Sequence, residues 1–99
     1  MTKVLFQVDC RRRTELLGKL ESQAERRAAF GEIGFSFHVD DNTRHISYVL
    51  LNWVSVASAQ DFLGSEDSHA LVAEWPIEEV IGATVLRDIQ EEASQFSQA

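Results

Sequence analysis

Hydrophobic and polar residues alternate along four segments of the chain, which is the pattern of β-strands with two unlike faces. The segments are residues 4–10, 33–39, 44–53 and 80–89, and they are rich in the β-branched and aromatic residues that favour a sheet. Residues 40–43 are Asp-Asp-Asn-Thr, a composition typical of tight turns because short polar side chains bond their own backbone. We therefore expect the second and third strands to form a hairpin.

The hydrophobic spacing becomes helical between the first and second strands, and again between the third and fourth. The first helix is expected to start at the N-cap Thr14. The second starts after Ser55, is interrupted at Gly64 and continues over about residues 67–74, until Pro76 ends it. The residues predicted to form the inner side of the first helix are Leu16, Leu17, Leu20, Ala24, Ala28 and Phe30.

The resulting order of elements is β-α-β-β-α-β. Packed through right-handed crossovers, this order predicts an α+β fold of the ferredoxin-like kind, with a four-stranded antiparallel sheet and two helices on one face. Residues 1–89 are expected to form this single domain, since a chain of 99 residues suffices for about one domain. The polar residues 90–99 are predicted to be a C-terminal tail.

The third and fourth strands are hydrophobic on both sides, although two helices can cover only one face of the sheet. The two sides of the third strand are formed by Ile46, Tyr48 and Leu50 and by Val49, Leu51 and Trp53. The two sides of the fourth are predicted to be Ile81, Ala83 and Val85 and, opposite them, Val80, Thr84 and Leu86. Apolar surface left in water forgoes about 25 cal/mol per Å². A second copy of the chain is the expected cover, so we predict a homodimer packed sheet against sheet.

The net charge is −7, and the basic residues are concentrated in the first half of the chain. Eight of the nine Lys and Arg residues lie within residues 1–44. An acidic protein repels nucleic-acid phosphates and anionic lipid over most of its surface, so we expect no nucleic-acid partner and no membrane partner. The three arginines at residues 11–13 either start a solvated helix or form a local basic patch.

The sequence shows no membrane-spanning segment, secretory signal or pair of cysteines, and these features bear on the cellular compartment. No hydrophobic run approaches the roughly 18 residues that span a bilayer, and the N-terminus has no features of a secretory signal. The single cysteine, Cys10, cannot form a disulfide within the chain. We expect a cytoplasmic protein. Because neighbouring arginines lower a thiol pKa, Cys10 is a candidate reactive thiol, with a buried inert cysteine as the alternative.

Residues 51–69, LNWVSVASAQDFLGSEDSH, combine a strand that ends in Trp, a helix that starts at Ser and a Phe-Leu-x-Ser sequence. Together with the element order, this segment resembles the dimeric α+β barrel superfamily, and most of all its antibiotic-biosynthesis-monooxygenase (ABM)-like group. The resemblance implies a homodimer built through the sheets and a pocket between sheet and helices in each subunit. Some members oxidise polyketide-type phenols with O₂ and no cofactor. Others degrade haem, isomerise small lactones or bind a ligand without turnover.

The resemblance also implies candidate site residues. In the cofactor-free oxygenases it places an Asn and a Trp near the end of the third strand, which here are Asn52 and Trp53. Such an Asn would stabilise a developing oxyanion. Haem degraders of the group carry an Asn, a Trp and a His at positions that here are Gln7, Phe62 and Val72. Because Val72 cannot ligate iron, we expect no haem cofactor.

The three histidines, His38, His45 and His69, show no metal-binding spacing, so no metal site is expected. His38 shares a side of its strand with Ser36 and is the histidine best placed for acid–base chemistry. His45 and His69 are expected at the surface. Four aromatic residues are predicted to line the pocket or, alternatively, to pack in the core: Phe35, Phe37, Tyr48 and Phe62.

Two hypotheses of function remain open. The first is a dimeric protein that binds a small apolar or aromatic molecule and is a candidate cofactor-independent monooxygenase, with Asn52, Trp53 and His38 as candidate catalytic residues. The second is a non-catalytic ligand-binding or structural dimer, in which Asn52 bonds the next helix and Trp53 packs in the core. The sequence has no P-loop, GxGxxG, GxSxG or CxxC motif, so nucleotide-dependent and serine-hydrolase chemistry have no support. An open cavity touched by Asn52 or His38 would favour the first.

Overall fold

The computed structural model describes residues 2–88 and shows the predicted order of strands and helices, with each helical crossover divided in two. The predicted tail, residues 90–99, and residue 89 of the predicted fourth strand lie outside the described residues. The elements are β1 (Thr2–Asp9), α1 (Arg13–Ser22), α2 (Ala24–Ala28), β2 (Glu32–Val39), β3 (Ile46–Trp53), α3 (Val56–Leu63), α4 (Glu66–Ala73) and β4 (Glu79–Arg87).

The four strands form one antiparallel sheet in the order β2-β3-β1-β4. The predicted ferredoxin-like α+β fold is therefore confirmed. None of the helices within residues 2–88 is long and apolar enough to cross a membrane.

The core lies between one face of the sheet and the helices. Along β1 and β3 every second residue is buried, and these buried residues pack together with the helices in a single cluster. Side chains on the opposite face of both strands stay half-exposed. The sheet contributes Val4, Phe6, Val8, Val49, Leu51 and Trp53 to the cluster, and the helices contribute Leu16, Leu20, Ala59, Phe62 and Leu71.

A bulge in β4 changes which of its side chains face the helices. The register between β1 and β4 shifts at Gln7 and Val8, so that Val8 lies opposite Val80 and Gln7 lies opposite Gly82. Ile81 is the extra residue. The prediction that Val80 shares a side with Thr84 and Leu86 is wrong, because a bulge reverses the alternation of the strand beyond it.

The starts of three helices differ in how they are capped. The prediction of Thr14 as the first cap is wrong, because α1 begins one residue earlier and its N-cap residue Arg12 makes no side-chain capping bond. Ser55 caps α3 as predicted, since its Oγ accepts a hydrogen bond from the Ser58 N–H at 3.1 Å. Ser65 caps α4 in the same way. Each serine satisfies a backbone donor that a helix start leaves free.

Polar residues occupy buried positions of the first crossover where the pattern predicted alanine. The row of buried side chains begins with Leu16 and Leu20 and continues through Gln23 and Arg27. Ala24 is half-buried instead, and Ala28 and Leu17 are exposed. The chain leaves α1 at Gln23 and restarts in α2, which turns the side chains of the second segment relative to the first.

Gln23 connects the two helical crossovers. Its amide Nε2 donates to the carbonyl of Leu71 at 3.0 Å, and its Oε1 accepts from the indole Nε1 of Trp75 at 2.8 Å. The ring of Trp75 in turn packs edge-on against Phe6, with centroids 5.1 Å apart. A buried amide with both ends bonded is tolerated in a core because its desolvation is offset.

A buried ion pair joins α2 to the start of β2. Arg27 donates from Nε and Nη2 to the two carboxylate oxygens of Glu32, and the side chains are only 1% and 2% exposed. The guanidinium also lies over the ring of Phe35, 5.3 Å from its centroid. Glu32 faces inward because Ile33 is bulged out of the register with β3. Ile33 is 55% exposed, although regular alternation along residues 33–39 would place it on the same side as Phe35.

Replacing Glu32 should test this ion pair directly. The E32Q substitution leaves the guanidinium of Arg27 buried without its counter-charge, and breaking a buried pair in this way costs about 3–5 kcal/mol. The control is E74Q, which removes an exposed Arg–Glu pair, Arg26–Glu74 at 2.9 Å, whose side chains are 52% and 42% exposed. Exposed pairs contribute up to about 1 kcal/mol. Urea unfolding of both variants measures the difference, and equal losses of stability would contradict the structural role of Arg27–Glu32.

Candidate functional site

The main cavity lies between the β1–β4 half of the sheet and the α3–α4 helices. Its volume is about 430 Å³, within the range of pockets that bind small molecules. The lining comes from β1, β4, the end of α3 and one side of α4. The residues are Phe6, Leu63, Ser68, His69, Val72, Val80 and Ala83.

Two local features shape this cavity. The bulge at Ile81 turns both Val80 and Ala83 toward the helices, although their separation in sequence would place them on opposite faces of a regular strand. On the other wall, the cap at Ser65 fixes where α4 begins. That cap is doubled, because Ser68 N–H donates to Ser65 Oγ at 3.2 Å and Ser68 Oγ donates to Ser65 O at 3.1 Å.

A second cavity of about 400 Å³ lies between α2 and the edge strand β2. Its buried acidic residue is Glu32, whose two oxygens both bond Arg27. Burial raises the pKa of the Glu32 carboxyl, while the hydrogen bond and the charge of Arg27 act in the opposite direction. Because the Glu32 carboxylate is already paired, the groups that this cavity offers a ligand are the apolar ones of Ala24, Ala28, Ile33 and Phe35.

Three of the residues predicted for the site, Asn52, Tyr48 and His38, lie on the sheet face that turns away from the helices. Asn52 and Tyr48 alternate with the buried residues of β3, and His38 lies directly opposite Tyr48. They therefore do not line the cavity between sheet and helices. Asn52 and Trp53 are adjacent on one strand and point to opposite faces, so the structure does not bring them together.

The polar side chains near His38 form a small network on this open face. His38 Nε2 and Ser36 Oγ are 2.9 Å apart, and Tyr48 OH donates to Asp40 Oδ2 at 3.2 Å. Asp40 also accepts hydrogen bonds from two backbone N–H groups of the hairpin turn, which lower the pKa of its carboxyl. Partial burial and the bond to Asp40 raise the pKa of Tyr48. The tyrosine is therefore a hydrogen-bond donor at neutral pH.

The other predicted residues, Trp53, Phe62, Phe35 and Phe37, lie on the helix side of the sheet. Trp53 and Phe62 are fully buried with ring centroids 4.8 Å apart, so both pack in the core. Phe35 and Phe37 are half-buried against the same core, and Phe35 lines the second cavity. The alternative assignment of these aromatic residues to the core fits their positions.

The sequence prediction missed the two polar residues of the main cavity, Ser68 and His69. Ser68 is buried, whereas His69 is exposed and belongs to the lining of the cavity. The signal was present in the spacing, since Ser68 and His69 precede Val72 by four and three residues and so share its side of the helix. Val72, the position matched to the haem-ligating His, also lines this cavity.

No group of three or more His, Cys, Asp or Glu residues with a geometry suited to a metal ion occurs within residues 2–88. Gln7, a residue matched to the haem degraders, lies on the open face, and Phe62 lies in the core. These two residues and Val72 are thus distributed over three separate environments.

Comparison with known proteins identifies the fold. The sequence matches no protein-family profile and no curated protein. Solved structures do match, and they include proteins named as antibiotic biosynthesis monooxygenases, so the predicted resemblance to ABM-like proteins is confirmed at the level of the fold.

The similarity extends over most of each chain at low sequence identity. A Bordetella bronchiseptica protein assigned to the antibiotic biosynthesis monooxygenases has a TM-score of 0.72 at 12% identity, covering 88% of this chain and 95% of its own. A structure named antibiotic biosynthesis monooxygenase has a TM-score of 0.56 at 17% identity, covering 89% and 97%. A Mycobacterium tuberculosis protein has a TM-score of 0.61 at 15% identity, covering 88% and 93%.

Cys10 should behave as an unreactive thiol. It is buried, and its Sγ lies 3.7 Å from the carbonyl oxygen of Pro76. Burial raises the pKa of the thiol, and this effect outweighs the nearby arginines. We expect Ellman's reagent to label the native protein far more slowly than the protein unfolded in urea. The C10S variant, which has no thiol, supplies the blank, and equal rates in the two states would contradict burial.

Proposed function

We propose that the protein binds a small apolar or aromatic molecule in its main cavity and oxidises it as a cofactor-independent monooxygenase. The observation that carries this proposal is the cavity itself, because five of its seven lining residues are hydrophobic. The fold that it shares with proteins named as monooxygenases supports the chemistry.

The proposed reaction needs only the substrate and O₂. A phenol gives a quinone when one oxygen atom becomes the new carbonyl oxygen and the other leaves as water. The substrate supplies all of the electrons and both hydrogens of that water. The part of the protein is to hold an aromatic ring and apolar O₂ in a site with few competing polar groups.

We further propose that the chain forms a homodimer through the open face of the sheet. This face carries Leu5, Ile46, Tyr48, Leu50 and Leu86, of which Leu5 and Leu50 are direct neighbours across β1 and β3. Hydrophobic side chains on a flat sheet face gain free energy when a second sheet covers them.

The candidate catalytic residues Asn52 and His38 would meet the partner subunit in such a dimer. Asn52 Oδ1 is buried and accepts no hydrogen bond from the described residues. Leaving such an acceptor without a partner costs free energy, which a donor from the second subunit would recover. Trp53 lies on the core side of the sheet, where its ring packs on Phe62.

Filling the cavity should abolish binding. In A83F the added ring occupies volume that the ligand needs, so the affinity for 1-naphthol should fall about tenfold or more. A73F adds the same ring on the exposed side of α4 and should bind like the wild type. Isothermal titration measures binding, and oxygen uptake with 1-naphthol measures turnover. Equal binding by the wild type and A83F would place the ligand elsewhere, and binding without oxygen uptake would refute the oxygenase activity.

The dimer can be tested by its mass in solution. Light scattering behind size exclusion should give about twice 11.2 kDa for the wild type. L50K places a charge in the middle of the open face and should give the monomer mass, because a buried unpaired charge is costly. A57K adds the same charge to the exposed side of α3 and should stay dimeric. A monomeric wild type, or a dimeric L50K, would contradict the proposed interface.

A further inference from the structure

We propose that His69 is the specificity-determining residue of the main cavity, and that its imidazole bonds the single polar group of an otherwise apolar ligand. The ligand class that follows is a compact hydrocarbon ring system with one hydroxyl group near its end. This inference rests on the proposed binding function, since it assigns a role within the same cavity.

The lining of the cavity restricts where a ligand can form hydrogen bonds. Two lining residues, Ser68 and His69, have polar side chains, and they are consecutive on α4. Phe6, Val80 and Ala83 form the sheet wall and present only hydrocarbon. A ligand with polar groups at both ends would therefore leave one of them desolvated without a partner, which costs free energy.

Ser68 is not available as a donor. A hydroxyl has one hydrogen, and the Ser68 Oγ–H is directed to backbone carbonyls, with the oxygen of Ser65 at 3.1 Å and that of Leu63 at 3.3 Å. These bonds hold the turn between α3 and α4. Ser68 Oγ can therefore only accept a hydrogen bond from a ligand, and its own bonds stabilise the start of the helix that carries His69.

His69, unlike Ser68, is free to donate a hydrogen bond to a ligand. Its ring makes no hydrogen bond to another residue within the described part of the chain, and it is exposed to solvent while it borders the cavity. A neutral imidazole has one nitrogen that donates and one that accepts. It can therefore either donate to a ligand oxygen or accept the hydrogen of a ligand hydroxyl.

The backbone position of His69 is fixed by the chain around it. The N–H of Ser68, the preceding residue, bonds the cap Ser65, and Leu71, two residues later, is held through its carbonyl by Gln23. Because both sides of His69 are held, its Cα cannot move far without breaking a buried contact. Such support is what a positioned hydrogen-bonding residue requires.

The test is a cycle of two ligands and two proteins. The ligands are 1-naphthol and 1-methylnaphthalene, which have nearly the same shape and differ in the hydroxyl group. The wild type should bind 1-naphthol roughly threefold to tenfold more tightly, the preference that one net hydrogen bond supplies. In H69L the ratio of the two affinities should fall to about one, while 1-methylnaphthalene still binds. H69Q, which keeps a donor and an acceptor, should recover part of the preference.

The control is H45L, which removes an exposed histidine that does not line the cavity and should leave the ratio unchanged. An unchanged ratio in H69L, or a ratio of one in the wild type, would overturn the role of His69 while leaving the binding function intact. Failure of both ligands to bind the wild type would overturn the binding function and this inference together.

Discussion

The strict two-residue alternation of the central strands governs most of this structure. β1 and β3 pair along their whole lengths, from Thr2 opposite Trp53 to Asp9 opposite Ile46, and no bulge interrupts them. Each of their residues is therefore committed to one of two environments, the hydrophobic core or the open face. Neighbouring residues in sequence, such as Asn52 and Trp53, end up on opposite sides of the sheet. The molecule has two candidate functional surfaces because a sheet has two faces.

The fold and the central strands were predictable because their signals are local. Alternation, the polar hairpin turn and the cap at Ser55 each depend on a few consecutive residues. The outer strands were predicted less well, since β2 and β4 each contain a bulge. Both bulges fall at an Ile-Gly pair, residues 33–34 and 81–82, and a glycine within a strand pattern is a known sign of a bulge. That signal could have corrected the predicted side of Val80 and the regular alternation predicted from Ile33.

The buried polar contacts could not be predicted from the pattern, because each depends on two distant or oppositely charged partners. Arginine is rarely buried in a core, and only the inward turn of Glu32 makes the burial of Arg27 tolerable. Gln23 depends on Trp75 and Leu71, about fifty residues further along the chain. The cavity likewise requires α4 and β4 to meet, so His69 looked like an ordinary surface histidine. Burial of a polar residue can be predicted only when the positions of its hydrogen-bonding or charged partners are known.

The positions of the two bulges also affect how copies of this protein can associate. β2 and β4 are the two edges of the sheet, and each edge is interrupted by one extra residue, Ile33 or Ile81. An edge strand with a regular row of free N–H and C=O groups is a template for further strands and can lead to open-ended aggregates, whereas a kinked edge is a poor template. Irregular edges thus disfavour continuous growth of the sheet sideways. The proposed association through the open face, by contrast, ends after one partner, because both copies of that face are then covered.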